Sequence, residues 1–317
     1  MKIIVLGSAA GGGFPQWNCN CRNCAGVRNG TLAATARTQS SIAVSGDGND
    51  WVLINASPDI LAQIRATPAL QPSRAKRDSR IAAVMLMDAQ IDHITGLLML
   101  REGTPLPLYC TASVWNDLNT SLPLAPVLSH YCGVHWHALH TIGDGPGMQA
   151  VQVPGIDGIR FMPLVLSSKA PPYSPHRTQP GIGDNIGLLI EDTGSGRSLF
   201  YAPGLGMIEP QVDAAMRQAD CVLVDGTFWR ADEMIELGFS SKSAADMGHL
   251  PQSGEAGMIA VLDSLDAHAD ARRQAERRKI LIHINNTNPI LDDGSAQRAL
   301  LARHGIEVAF DGMEIVL

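Results

Sequence analysis

The chain has 317 residues and is 45% hydrophobic, enough for a large core, and its length suits one big α/β domain or two intimate halves. Its 24 Lys and Arg against 31 Asp and Glu leave a formal net charge of −7, which removes the positive field that nonspecific nucleic-acid binding draws on, so DNA and RNA are poor partners. No apolar run approaches the roughly 18 residues of a membrane span, and Ile3-Ile4-Val5-Leu6 meets Gly7 too soon for a signal-peptide core, so the expected location is the cytoplasm.

Lys2 to Leu6 reads as a buried strand that stops at the glycine-rich stretch Gly7 to Gly13. That stretch lacks the G-x-G-x-x-G spacing of a dinucleotide loop, and no P-loop or G-x-S-x-G elbow occurs. Strands follow at Ser40-Ser45 and Trp51-Ile54. Ser57-Pro58-Asp59 then offers a capping hydroxyl, a first-turn proline and a first-turn acid to a helix running to about Ala66. The continuously apolar Ala82-Met87 predicts a fully buried strand that delivers Asp88-Ala89-Gln90-Ile91-Asp92-His93 beyond its C-terminal end, where active sites of α/β folds gather. Ile94 to Arg101 looks like a mostly buried helix, Leu106 to Cys110 a strand, and Thr141 to Gly158 a connection between two halves.

In the second half, strands are expected near Ile159-Val165, Asn185-Glu191, Leu199-Ala202 and Cys221-Asp225, with a helix from about Pro210 to Ala219. The glycine- and proline-rich stretch from Lys169 to Gly183 is long enough to flank a site. A helix around Gly254 to Leu265, the strand Lys279-His283, a helix ending at His304 and a closing pair of strands near Glu307-Phe310 and Met313-Val316 complete the chain. Alternation of this kind favours α/β layers.

Cys19, Cys21 and Cys24 are spaced too tightly for an ordinary disulfide framework, and a turn can aim their thiolates at one soft, tetrahedral ion, naturally zinc. Three free surface thiols are the alternative. Arg22 and the turn amides are placed to hydrogen-bond the sulfurs. Asp88, Gln90, Asp92 and His93 set four potential ligands in one loop, although a polar loop with a capping aspartate gives the same pattern. His283 ends a buried apolar strand, where an imidazole is costly unless paired or ligating, and His249 sits in the glycine-flanked Gly248-His249-Leu250-Pro251. Asp225 closes another strand and can be a ligand, the orienter of a histidine or a helix cap. His130, His135, His137 and His140 fit an edge strand, and His176, His268 and His304 read as surface residues.

These segments resemble the phosphodiesterase-like branch of the metallo-β-lactamase superfamily. Within it, Phe14-Pro15-Gln16-Trp17-Asn18-Cys19-Asn20-Cys21, Asn55-Ala56-Ser57-Pro58-Asp59, Asp225-Gly226-Thr227-Phe228-Trp229, Gly248-His249-Leu250-Pro251 and Asn285-Asn286-Thr287-Asn288-Pro289 resemble the protein B family of pyrroloquinoline quinone (PQQ) biosynthesis, over essentially the whole chain. The resemblance implies a single domain over 1–317, a four-layer αββα sandwich of two pseudo-symmetric halves, with the site at the edge where strand ends of both halves meet.

Hydrolases of the superfamily carry His-x-His-x-Asp-His after the strand. Here Asp88 and Gln90 replace the first two histidines, and Pro203 stands near the place of the metal-bridging aspartate, so a dinuclear zinc hydrolase is disfavoured. Relatives with the knuckle complete a structural zinc with a histidine, where this chain has Asn286, whose carbonyl can serve. What is left for the active-site metal is Asp92, His93 and His283 or His249, a set resembling the facial triad of non-haem Fe(II) oxygenases, with Asp88, Gln90 and Asp225 in support. The family implies hydroxylation of the tyrosine ring of a Glu-Tyr-derived PQQ precursor, other pathway proteins as partners, and alternatively a carrier role in moving PQQ or its precursor to the periplasm. Lys169, Arg177, Arg230 and Lys242 are candidates for the substrate's carboxylates.

Overall fold

The computed structural model describes residues 1–141, 150–267, 269 and 271–317. Part of the connection expected at 141–158 and His268 therefore lie outside the described residues. Among the described residues the strands are β1 (Lys2–Gly7), β2 (Ser41–Ser45), β3 (Trp51–Ile54), β4 (Ile81–Met85), β5 (Leu106–Cys110), β6 (Val134–Ala138), β7 (Ile159–Val165), β8 (Ile186–Asp192), β9 (Ser198–Ala202), β10 (Cys221–Asp225), β11 (Arg278–Ile282), β12 (Ile306–Val308) and β13 (Glu314–Val316). The chain forms two compact units, one of Met1–Gly7, Ser40–Ser198 and Gly312–Leu317, the other of Ser8–Gln39 and Leu199–Asp311.

In the first unit the sheet runs β13-β1-β2-β3-β4-β5-β6. Pairing is antiparallel from β13 to β3 and parallel from β3 to β6. The connections fit this: a short turn joins antiparallel β2 and β3, whereas a parallel neighbour requires a crossover, here the helices Ile60–Ala66 and Ala112–Asn119 among others. Leu6, Trp51, Leu53, Ile60, Leu86, Ile94, Leu108 and Val114 fill one core cluster, each large side chain contributing about 1.5–3 kcal/mol on burial. The histidine-rich stretch does form the edge strand β6, with Trp136 stacked on Trp115 at 5.1 Å and His137 on Tyr109 at 4.5 Å. Strands β7 and β8 pair antiparallel, Phe161 opposite Ile190.

The second unit holds the parallel set β9-β10-β11-β12. β10 and the Ile280–Ile282 end of β11 are apolar and buried up to the strand ends, as expected in the middle of a parallel sheet, and Asp225 and His283 come at the C-terminal ends of β10 and β11. Gly226 lets the chain leaving β10 close on β11: its N–H donates to Ile282 O at 2.7 Å, and a Cβ there would lie 2.9 Å from Leu281 Cβ.

Three expectations are corrected. The segment after Ile94 is a 3-10 helix, Thr95–Leu100, preceded by one α-turn at Ile91–Ile94. The two closing strands do not pair with each other: β12 lies parallel to β11, and β13 antiparallel to β1, because the turn at Asp311-Gly312 returns the chain to its first strand. Ser57 is not the N-cap: its hydroxyl accepts the Asp59 N–H (3.3 Å) in the turn ahead of the helix and donates to Gln63 Oε1 (3.2 Å), and the helix Ile60–Ala66 has Asp59 at its N-cap. Among the described residues no helix is long and apolar enough to cross a membrane.

Candidate metal sites

In the first unit, the loop after β4 is pinned by Asn55. This residue adopts φ 64°, a region open to Asn at small cost, donates its N–H to Met85 O (2.8 Å) and accepts from Met87 N at Oδ1 (3.0 Å). The loop then brings both oxygens of Asp88 to 2.8 and 2.9 Å from His93 Nδ1, while Asp88 Oδ1 also accepts the Gln90 N–H at 2.8 Å. Asp92 Oδ2 lies 3.8 Å from His93 Nε2. Burial disfavours the imidazolium of His93, but the charges of Asp88 and then Asp92 outweigh it and hold the ring's pKa up at about 9. Gln90 contributes backbone, its carbonyl accepting from His93 N (2.9 Å) and Ile94 N (3.1 Å). Gly96 completes the turn: a Cβ there would stand 2.1 Å from Ser57 O and 2.6 Å from Ala56 O.

In the second unit, Asp225, His249 and His283 bring ligand atoms within 4.8 Å of one another. Asp225 Oδ2 is 2.7 Å from His249 Nδ1 and accepts Leu205 N at 2.9 Å; Oδ1 accepts Thr227 N at 2.9 Å and the Thr227 hydroxyl at 2.6 Å. Thr227 Oγ1 also lies 2.9 Å from His283 Nδ1 and 3.1 Å from His249 Nδ1. The two imidazoles stack at 5.4 Å with 25° between planes, and Phe228 meets His249 edge-on at 5.7 Å. Burial pushes the Asp225 carboxyl up, yet the His249 charge, its hydrogen bond, His283 and Thr227 together leave it below the ordinary carboxylate value. His283 sits just past β11 with φ 60°, uncommon for a side-chain-bearing residue and a mark of a position held by its surroundings.

The knuckle forms around the helix Arg22–Arg28, whose N-cap is Cys21. The three sulfurs lie within 4.8 Å of one another, and zinc with bonds of about 2.3 Å needs them about 3.8 Å apart, so a small inward movement completes the face of a tetrahedron. The Asn286 amide covers the fourth corner, with Nδ2 at 3.0 Å from Cys19 Sγ, 3.3 Å from Cys24 Sγ and 3.7 Å from Cys21 Sγ; turning the amide by half a rotation brings its oxygen to the same place. Gln16 N donates to Cys24 Sγ at 3.3 Å and Cys21 N to Cys19 Sγ at 3.4 Å, dipoles that suit thiolates. Burial raises the Cys19 thiol, but hydrogen bonds from Cys21 N, the Cys21 and Cys24 thiols and the Asn286 amide outweigh it and leave it below its usual pKa, whereas burial and the neighbouring thiols push Cys21 up to about 11. The donor set fits a soft ion.

Arg22 does not serve the sulfurs. Its guanidinium pairs with Asp292 at 2.8 Å, a partner too distant in sequence to be foreseen, and Asn23 takes the bracing role, donating to Asn286 O (3.1 Å) and Asn288 O (2.9 Å). His176 is half-buried and paired: its Nε2 is 2.9 Å from Asp184 Oδ1, with Ser174 and Ser113 also in reach. Tyr173, in the same loop, donates to Ala89 O and so straps the loop 169–183 to the Asp88 turn. Arg230 is paired with Glu236 and Arg177 with Ala170 O, while Lys169 and Lys242 are exposed. Thr227 and Asn55 were missed as site residues. Only a hydroxyl two places after a strand-ending aspartate, and an Asn before Ala-Ser-Pro, hinted at them.

Residues 50–284 match the model of the β-lactamase superfamily domain. The chain is 66% identical over 316 residues to coenzyme PQQ synthesis protein B of Cupriavidus taiwanensis, covering 99% of each chain. Among solved structures it resembles the Zn(2+)-bound PqqB from Methylobacterium extorquens, at 36% identity and a TM-score of 0.85 over 100% of both chains. A diphosphatase of the PhnP family, at 18% identity and a TM-score of 0.65 over 99% of this chain and 96% of that one, shares the fold alone. The chain thus has the metallo-β-lactamase fold and belongs to the coenzyme PQQ synthesis protein B family.

Proposed function

We propose that this protein acts in PQQ biosynthesis and hydroxylates the tyrosine-derived ring of a Glu-Tyr-derived intermediate, using Fe(II) and oxygen. Asp88 carries the reading. It occupies the place of a histidine ligand of the superfamily's hydrolases, yet spends both carboxylate oxygens on His93 Nδ1 and the Gln90 N–H, so it orients an imidazole and leaves a poorer ligand set than two zinc ions need. When bound, Fe(II) supplies oxygen activation through positions that a two-imidazole, one-carboxylate set leaves open.

The residues relied upon are Asp92 and His93 in the first unit and His283, with His249, in the second; Cys19, Cys21, Cys24 and Asn286 hold a structural zinc. Lys169, Arg177, Arg230 and Lys242 are candidates for the carboxylates of the substrate. The test is anaerobic reconstitution with Fe(II), then oxygen in the presence of the cross-linked Glu-Tyr precursor. The expected product is heavier by one oxygen atom, and the gain vanishes without iron and in Asp92→Ala and His93→Ala. Precursor or PQQ retained without any mass change refutes the hydroxylase and favours a carrier.

A further inference from the structure

Two imidazoles, His283 buried and His249 half-buried, stand side by side in the second unit, and each can carry its proton on either nitrogen. Only a nitrogen without a proton can bind a metal, so the choice decides what the pair can hold. The hydrogen bonds around Asp225 settle it. A carboxylate offers about four acceptor sites, and those of Asp225 face four donors: Thr227 N at 2.9 Å, Thr227 Oγ1 at 2.6 Å, Leu205 N at 2.9 Å and His249 Nδ1 at 2.7 Å. His249 therefore carries its proton on Nδ1. Asp225, its acceptor sites filled, is an orienter and not a ligand.

Thr227 extends the same logic to His283. Its hydroxyl has a single hydrogen and two oxygen acceptors in reach, Asp225 Oδ1 at 2.6 Å and His283 O at 2.9 Å; the shorter contact, to a charged carboxylate, is the stronger and takes the hydrogen. The hydroxyl oxygen is then an acceptor toward His283 Nδ1 at 2.9 Å, so His283 also carries its proton on Nδ1. We propose that Thr227 is a positioning residue that relays the charge of Asp225 to His283, so that His249 and His283 both present the Nε2 lone pair to a metal ion. This rests on the reading of His249 and His283 as metal-binding residues and adds the group that fixes their protonated nitrogens.

The first measurement needs no variant. In metal-stripped protein labelled with nitrogen-15 at histidine, the long-range proton–nitrogen couplings of His249 and His283 should show a protonated Nδ1 and a bare Nε2; a protonated Nε2 on neutral His283 overturns the proposal. Thr227→Val keeps the side-chain shape and removes the hydroxyl. It should mix the two His283 tautomers and weaken Fe(II) binding about 10–100-fold, read by anaerobic calorimetry with the knuckle zinc left in place, and Thr227→Ser should restore both. A Val variant with unchanged His283 couplings or unchanged Fe(II) affinity refutes the relay. If the couplings and affinities behave as expected but the oxygen assay shows no mass gain, the relay stands and the hydroxylase reading fails.

Discussion

Gly96 offers a direct test of how the Asp88-His93 turn is held. A Cβ at this position would stand 2.1 Å from Ser57 O, 2.6 Å from Ala56 O and 2.8 Å from Ala56 C, all backbone atoms that cannot rotate away. An ordinary carbon–oxygen contact is about 3.3 Å, so the Ser57 carbonyl must retreat by roughly 1.2 Å. That retreat pulls on two hydrogen bonds of the same segment, Ala56 N to His93 O at 2.7 Å and Gly96 N to Ala56 O at 2.9 Å. Overpacking costs about 1–3 kcal/mol and two weakened backbone bonds about 1–3 kcal/mol together, offset by up to about 1 kcal/mol from a stiffer unfolded chain. Gly96→Ala should therefore destabilise by about 1–6 kcal/mol in urea unfolding at an unchanged slope. Gly204→Ala is the control, since nothing lies within 4 Å of its added Cβ, and it should stay within about 0.5 kcal/mol of the parent. Equal midpoints for the two variants would refute the reasoning.

Two further predictions concern buried polar groups. Glu233, buried and accepting from Trp229 N at 2.7 Å and from the Thr287 hydroxyl, has a carboxyl raised above its ordinary pKa because burial outweighs those donors. Its folded value exceeds its unfolded value of about 4.3, so its contribution is present below that pH and is lost as pH rises through the folded value. Glu233→Gln should remove this slope, and its stability relative to the parent should rise between pH 4 and the raised value; a difference independent of pH would contradict the assignment. His176→Ala removes the ring at 2.9 Å from Asp184 but leaves Asp184 the donors Ser113 Oγ and Gly181 N, so the cost should be local, about 1–3 kcal/mol, and appear as faster limited proteolysis within 169–183. Unchanged cleavage there would show that the loop is held by Tyr173 instead.

Much of the fold was legible because parallel strands buried on both faces read as continuous apolar runs: Trp51-Ile54, Leu106-Cys110 and Cys221-Asp225 fall on the observed strands residue for residue. The same logic placed Asp92, His93, Asp225 and His283 at or beyond strand ends. What a linear reading could not supply was partners across long separations. Asp292 takes Arg22 from 270 residues away, and β13 pairs with β1 although only a turn separates it from β12. The role of Thr227 depends on three neighbours brought together by the ends of β10 and β11 and the loop at His249. The 3-10 turn after Ile94 was hidden because its composition suits an α-helix, and it is the close approach of Gly96 to Ala56 and Ser57 that shapes it.

The knuckle and the imidazole pair are joined by a single short segment, which makes a last prediction. His283 and Asn286 are three residues apart, and the stretch between them is tied down at every step: Ile284 N to Ser8 O at 2.9 Å, Ala10 N to Ile284 O at 2.9 Å and Asn285 N to Thr227 O at 3.1 Å. Asn288 Nδ2 reaches Gly226 O at 3.0 Å, and Asn23, on the knuckle helix, clasps Asn286 O and Asn288 O. An ion that draws the three sulfurs and the Asn286 amide together thus fixes the segment that carries His283. Stripping that ion, or replacing Cys21 by Ser, should speed amide exchange at 284–288 and weaken metal binding at His249 and His283 by about tenfold, the lower end of what lost outer-shell support costs. Unchanged exchange at 284–288 in protein shown by metal analysis to lack the knuckle ion would mean that the strand end alone positions His283, through β11 and its neighbours, and that the knuckle serves only its own end of the unit.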